Sequence, residues 1–451
     1  MVPFKLTEEL IEQIEQLIES NGDATLLHMM EDFHYADVAE IIHELNLEES
    51  TYIIKLLDSE KTSDILTELD EDIREQILGN LSAKEIAEEI SELDTDDAAD
   101  IIAELPDDRV NEIIAQIGDK DHARDIVELL RYDESSAGGL MAKELVKVNE
   151  NWNVLTCVKE MRKQAENVTR VHSIYVVDND DKLKGRLSLK DLLTTSTKAE
   201  ISSVYIPKVD YVTVNDKGED VARLMSKYDL EAIPVIDELG RLVGRITIDD
   251  IVDVIREEAE KDYQMAAGIT QDVEASDSIV ELTKARLPWL LIGMLGGLGA
   301  ASIIGSFQGA LAKFPILLSF VPLIQATAGN MGVQSSAIVV QGLANDTIKG
   351  EMLHRLGKEF LLGLINGMAI AFVVLLISHF LFDTTYLVSV TIGIALITVI
   401  IIAAIIGTFV PIFLDKKGID PAVATGPFIT TSNDVFGILI YFTIAKYILG
   451  F

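Results

Sequence analysis

Apolar positions recur along this chain in three different patterns. Between residues 37 and 133, Leu45, Leu57, Leu69, Leu81, Leu93, Leu105, Ile117 and Leu129 return every 12 residues. A polar, mostly acidic stretch follows each turn, as at Asn46–Glu49, Asp70–Asp72, Asp94–Asp97 and Pro106–Asp108. Within each unit the apolar residues keep helical spacing, as Ile101, Ile102 and Leu105 do. The pattern predicts helices of about two turns stacked pairwise into an α-solenoid-like superhelix. Acidic residues after each turn then lie near the start of the next helix, where the helix dipole favours them.

A second repeat follows. Ile174–Asp178 with Gly185–Asp191 matches Ile233–Asp237 with Gly244–Asp250, displaced by 59 residues. Each copy reads strand, polar turn, strand, helix, and both contain Gly-x-x-Ser/Thr-x-x-Asp. Residues 249 to 262 read as an amphipathic acidic helix that leads through Gly268 and a polar stretch into an apolar block.

That block has the third pattern. Residues 287–312, 314–345, 360–382 and 384–414 carry no charge, and 422–445 carries only Asp434. A span of the hydrocarbon core takes about 20 residues, so five transmembrane helices are expected. Two of them read as poor plain helices. The second contains Pro315, Pro322 and the polar run Gln325–Ser336, and the fifth begins Asp420-Pro421, continues Gly426-Pro427 and reaches Thr430–Asp434. Broken backbone at membrane depth is expected to line a cavity or to meet a partner. Asp434 lies about mid-span, where an ionised carboxylate marks function unless it caps a helix or bonds a neighbouring Thr or Asn. Gly293-x-x-x-Gly297, Gly305-x-x-x-Gly309 and Gly363-x-x-x-Gly367 read as helix-packing faces.

Charge sharpens this division. From Leu287 onward there are 7 Lys+Arg and 7 Asp+Glu; removing them from the totals of 37 and 74 leaves the first 286 residues at −37. So acidic a surface excludes nucleic acid as a partner. The single Cys157 excludes a disulfide framework and a cysteine-based zinc site. No signal peptide, phosphate-binding Gly-Lys loop or catalytic nucleophile–base spacing is present, so neither an enzyme nor an ATP-driven pump is expected. Lys284, Arg286, Lys349, Arg355, Lys358, Lys416 and Lys417 flank one side of the spans, and Lys313 and Lys446 the other. This bias predicts a cytoplasmic N-terminal region and an external C-terminus.

The candidate chemistry is cation handling. No Lys or Arg stands at a depth to pair with Asp434, and Cys and His are absent from both broken segments. A hydrated magnesium ion, held through water by one or two carboxylates and by oxygens near Asn330, Gln334, Thr431 and Asn433, suits this composition.

Residues 138 to 258 resemble tandem cystathionine-β-synthase (CBS) domains. In that family the Ser/Thr and Asp of the shared motif hold an adenine nucleotide, here Ser188 and Asp191, and Thr247 and Asp250, with ATP as the implied ligand. Capping of the following helix accounts for the same residues equally well. With these modules between an acidic helical region and five spans, the chain resembles the MgtE family of prokaryotic magnesium transporters over essentially its whole length. Ala328–Ser335 and Asp420–Asp434 look like that family's pore signatures.

The resemblance implies a multidomain membrane protein: an all-α superhelical N-domain (1–134), α/β tandem CBS domains (135–198 and 199–258), a plug helix (249–285) and a five-helix transmembrane pore domain (286–451). It further implies a homodimer in bacterial plasma membrane lipid, with a pore lined by the second and fifth spans. Asp434 matches the selectivity aspartate, and Asp420 a carboxylate at the cytoplasmic pore mouth. Magnesium-binding positions that look equivalent are Asp229, Asp250, Asp253 and Glu258, with Asp94, Asp96 and Asp97. Cytosolic magnesium is then expected to bridge the acidic domains and hold the plug helices over the pore. A membrane magnesium sensor, or a transporter of another cation such as cobalt, manganese or a proton-coupled ion, are the alternatives.

Overall fold

The computed structural model describes residues 4–450 apart from 166, 167, 169, 272, 274–276, 346, 349–351 and 425. Of the flanking cations, Lys349 lies outside the described residues. The chain forms two compact units, Met1–Arg256 and Glu257–Phe451.

The first unit begins with ten short helices: α1 (Glu8–Glu19), α2 (Asp23–Asp32), α3 (Tyr35–Glu44), α4 (Leu47–Leu56), α5 (Ser59–Glu68), α6 (Glu71–Gly79), α7 (Ala83–Ile90), α8 (Thr95–Ala103), α9 (Asp107–Ile114) and α10 (Lys120–Leu129). The 12-residue period is one such helix plus its junction. Leu45, Leu57 and Leu69 are the C-caps of α3, α4 and α5. The next residue in each register, Asn46, Asp58, Asp70, Ser82, Asp94 and Pro106, is the N-cap of the following helix. Asn46 accepts from the Glu48 and Glu49 amides, and Ser82 accepts from Glu85 in a capping box. Helices α3, α5, α7 and α9 stack in one row, while α4 packs with α6, and α8 with α10 and α5. Between these helices lie fully buried Ile41, Ile53, Ile65, Ile77 and Ile102, each contributing about 1.5–3 kcal/mol on burial.

Two three-stranded sheets follow. The first holds β1 (Val146–Asn149), β2 (Ile174–Val177) and β3 (Leu183–Leu187), with helices α11 (Val154–Gln164) and α12 (Leu189–Thr194). The second holds β4 (Val212–Thr213), β5 (Ala232–Ile236) and β6 (Leu242–Thr247), with α13 (Gly218–Tyr228) and α14 (Ile248–Ala267). In each, the first two strands are parallel and the last two antiparallel. The halves exchange leading segments. Ile206 pairs with Arg186 beside β3, while Ala142 pairs with Arg245 of β6 through backbone bonds of 2.8 and 2.9 Å. This exchange explains the repeated glycine, since a Cβ on Gly185 would strike the Ile206 carbonyl and one on Gly244 would lie 2.7 Å from Met141 Sδ.

The second unit contains α15 (Ile279–Ser306), α16 (Gln308–Lys313), α17 (Ile316–Ser319), α18 (Val321–Ala344), α19 (Met352–Phe380), α20 (Tyr386–Asp415) and α21 (Gly426–Leu449). Among the described residues, five helical stretches are long and apolar enough to cross a membrane, matching the five expected runs. Central α20 packs on α18, α19 and α21, and α21 also packs on α15. The Gly363-x-x-x-Gly367 face lies against the backbones of Ile401 and Ile397, an intrachain packing surface.

One expectation is corrected. The polar run Gln325–Ser336 is continuous helix, so its backbone groups bond along α18. The break falls earlier, at Pro315 and Phe320–Pro322, where a proline is tolerated at a helix start. In the fifth span the irregular part is the short 3₁₀ turn Pro421–Ala424, and Thr430–Asp434 is helical.

The exchanged segments generate a stability prediction. Gly185→Ala meets backbone and is expected to destabilise the protein by about 1–3 kcal/mol. Gly118→Ala, which meets nothing within 4 Å, should leave thermal unfolding nearly unchanged.

Candidate metal centres and a nucleotide cavity

Within the first unit, carboxylates gather where α8 meets the second CBS half. Asp94 is the N-cap of α8 but makes no capping bond; its Oδ2 lies 3.4 Å from Arg245 of β6. Asp94, Asp96 and Glu144 each offer an oxygen within 4.8 Å of the others. Glu144 also accepts from Thr95 Oγ1 at 2.8 Å, tying α8 to the segment before β1. Asp250, at the start of α14, accepts from Thr247 N at 2.9 Å and Thr247 Oγ1 at 2.8 Å.

Electrostatics shows what this packing costs. Burial first, and then Asp250, pushes the buried Asp96 carboxyl well above the usual carboxylate range. Asp97 is pushed up to about 7 by burial, then by Asp250 and Asp100. Asp250 rises to about 6 through burial, against the Thr247 hydrogen bonds that lower it. All donors here are oxygens and the net charge is strongly negative, so the set fits a hard divalent cation. Asp94, Asp96 and Glu144 would hold such an ion, with Asp97 and Asp250 beside it.

The remaining expected ligands are more dispersed. Asp229 is exposed and occupies the left-handed C-cap of α13 at φ 50°. Asp253 is exposed on α14. Glu258 accepts from Lys261 Nζ at 3.1 Å, and Lys261 also feels Asp420. The hydrogen bond to Glu258 holds the Lys261 ammonium above its usual range. Asp420 itself is exposed and caps the Ala422 amide at 2.8 Å.

In the second unit, Asp434 stands on α21 facing α18. Its Oδ1 is buried without a hydrogen-bond partner among the described residues, and a methyl on Gly329 would lie 3.9 Å from it. Asn433 is 2 % exposed, its Nδ2 fills the space above Gly332, and that nitrogen is also unpartnered. Asn330 is exposed on α18. The end of α14 docks at the start of α21: a Cβ on Gly426 would strike the Ala266 carbonyl, and one on Gly268 would lie 2.5 Å from Pro427 Cγ. Gly426 sits at φ 39°, a conformation that favours glycine.

The two CBS motifs differ. Ser188 and Asp191 line a cavity of about 450 Å³ with His172, Arg186 and Lys190, and Ser188 makes no capping bond. At the second copy Thr247 and Asp250 bond each other, with Asp250 Oδ2 accepting from both the Thr247 amide and its hydroxyl at the start of α14. Glu144 and Arg245 were invisible as site residues in the sequence. Glu144 precedes a strand without a motif, and Arg245 carried only the repeated Gly-Arg pair of Gly185-Arg186 and Gly244-Arg245.

The raised carboxyls predict a pH dependence. Their folded-state values lie above the ordinary 3.8, so the folded chain binds the extra protons and loses stability as pH rises from about 4 to 7. Divalent-free protein should melt at a lower temperature at pH 7.5 than at pH 5. Asp97→Asn should flatten that slope, as followed by thermal unfolding.

Comparisons with known proteins agree with this architecture. The MgtE family model, described as a divalent cation transporter, matches residues 321–444. The MgtE intracellular N domain matches 33–135, and the CBS domain matches 137–197 and 201–257. The magnesium transporter MgtE of Thermus thermophilus is 33% identical, covering 98% of this chain and 99% of its own. That of Enterococcus faecalis is 37% identical over 72% of each chain. Among solved structures, the cytosolic domain of the Mg2+ channel MgtE in complex with ATP is 32% identical, with a TM-score of 0.50 over 54% of this chain and 99% of that one. With the N domain, paired CBS modules and transmembrane domain matched in order, this chain belongs to the MgtE family, a family of transporters and not of enzymes.

Proposed function

We propose that this protein carries magnesium across the bacterial plasma membrane and is closed by cytosolic magnesium. The observation that carries the reading is the Asp434 carboxylate, whose buried Oδ1 faces α18 in the fifth apolar span without a hydrogen-bond partner among the described residues. A carboxylate so placed attracts a cation, and its oxygen chemistry suits a hydrated magnesium ion. Asn433 and Asn330 on the same two helices, and Asp420 at the cytoplasmic mouth, complete the polar path. The membrane potential favours divalent uptake by about 4.6 kcal/mol per 100 mV, so no other energy source is required. The two relatives named above are magnesium transporters and are matched over most of their length, which supports magnesium over cobalt or manganese. A homodimer with its pore on the two-fold axis gives the ion two Asp434 side chains, with the N-terminal region inside and the C-terminus outside.

Closure follows from the carboxylates of the first unit. Without a cation, Asp94, Asp96, Asp97, Asp250 and Glu144 repel one another; with one they hold α8, the CBS half and the start of α14 together. A ligand shifts such an equilibrium by its differential affinity for the compact form. Asp229, Asp253 and Glu258 add weaker oxygens along the same surface. Helix α14 carries the change to the start of α21, eight residues before Asp434. An adenine nucleotide such as ATP occupies the cavity at Ser188 and Asp191, whose Arg186 and Lys190 suit phosphate.

Two experiments test this. Asp434→Ala should lower magnesium uptake by roughly tenfold or more in proteoliposomes; unchanged flux would remove the pore assignment. Asp250→Ala with Asp253→Ala should let current persist at millimolar cytosolic magnesium in patch recordings. Ordinary closure in that double variant would remove the feedback reading.

A further inference from the structure

Helix α19 buries one stripe: Glu359, Gly363, Gly367, Ala371, Val374 and Ser378, spaced four, four, four, three and four residues apart. Its small members let α19 lie close against α20, the helix with which α19 makes its extended packing. Glu359 continues this stripe one turn earlier and is only 6 % exposed. A carboxylate is a costly residue on the packing face of a membrane helix, so it is kept there for a contact. That contact is Ser335 of α18, also buried, whose Oγ donates to Glu359 Oε2 at 3.1 Å. The bond links two helices that both pack on α20.

From Ser335 the wall of the candidate pathway runs along α18. Three residues back is Gly332, whose open face is filled by the Asn433 amide and whose carbonyl meets Gly407 of α20. Three further back is Gly329, the residue facing Asp434 Oδ1. A glycine wall has no side chain to adjust, so the distance from α18 to Asp434 is set by where α18 itself is held. The other end of α18 is held by apolar packing, with Leu317, Phe320, Val321 and Ile324 buried.

We propose that Glu359 is a positioning residue for conduction: through Ser335 it holds α18 so that Gly329 and Gly332 meet Asp434 and Asn433 at working distance. It touches no ion; the acceptor oxygen matters and the charge does not. The proposal rests on Asp434 being the ion-facing group.

The test uses the full-length protein in proteoliposomes, reading magnesium uptake and discrimination against manganese. Melting of each variant in detergent is measured alongside. Glu359→Leu and Ser335→Ala should each lower flux by about tenfold and weaken discrimination, while Glu359→Gln, which keeps an acceptor, should stay within about threefold of the parent. The double variant should be no worse than either single one, because both remove one bond. Ser335→Ala deletes a single oxygen and keeps the test valid if Glu359→Leu fails to fold. Normal flux and discrimination in Ser335→Ala and Glu359→Leu would overturn the proposal while Asp434→Ala still abolishes uptake. Glu359→Gln as impaired as Glu359→Leu would overturn it too, making charge the requirement. Full uptake by Asp434→Ala would sink the pore reading and this proposal with it.

Discussion

Like charges brought together out of water are the constraint around which this protein is organised. A carboxylate in a low-dielectric setting needs a proton, a hydrogen-bond donor or a cation. Asp96 and Asp97 meet Asp250 at the boundary between the helical stack and the second CBS half, and burial drives all three toward protonation. A divalent ion supplies the same relief at neutral pH without neutralising the side chains. In the proposed closure, the acidic cluster can respond to a cation because its buried carboxylates are strained without a proton or an ion, which a comfortably solvated cluster would not be.

The same physics operates in the membrane domain with a different outcome. Asp434 has glycine opposite it instead of a donor, and the neighbouring Asn433 nitrogen is equally unpartnered. Small residues on α18 bring no side-chain ligand of their own to the carboxylate and let α21 pack closely on this face. Close helix approach at Gly332 and Gly407 makes this wall rigid. The closure proposed above needs little connecting machinery. Helix α14 begins at Ile248, beside Asp250, and ends on Gly426 and Pro427, the first residues of the helix that carries Asp434. The glycine at φ 39° and the 3₁₀ turn ahead of it give that junction its shape.

The two CBS copies show how equal motifs acquire unequal chemistry. Thr247 and Asp250 match Ser188 and Asp191 by sequence, and the first pair lines a cavity with Arg186 and Lys190. At the second copy the hydroxyl and carboxylate bond each other and turn toward the acidic helices. One motif thus lines a candidate nucleotide cavity, and its duplicate stands beside the candidate metal centre.

Much of this was legible in the residues alone, because it depends on near neighbours. The 12-residue leucine period, the 59-residue repeat, the uncharged runs and the lone Asp434 specify helices, strand pairs and spans through local spacing and transfer into lipid. What they could not specify is which distant groups meet. Glu144 joins Asp94 across 50 residues, Glu359 finds Ser335 across 24, and the CBS halves exchange Ala142 and Ile206. The polar run of α18 looked like broken backbone, since its amides and glycines suit either a loop or a tightly packed helix. Packing against α20 and α21 chose the helix, because in a membrane backbone bonds are best satisfied along the chain and glycine lets neighbours close in. Period and polarity are properties of a segment; a binding site is a property of the contacts between segments.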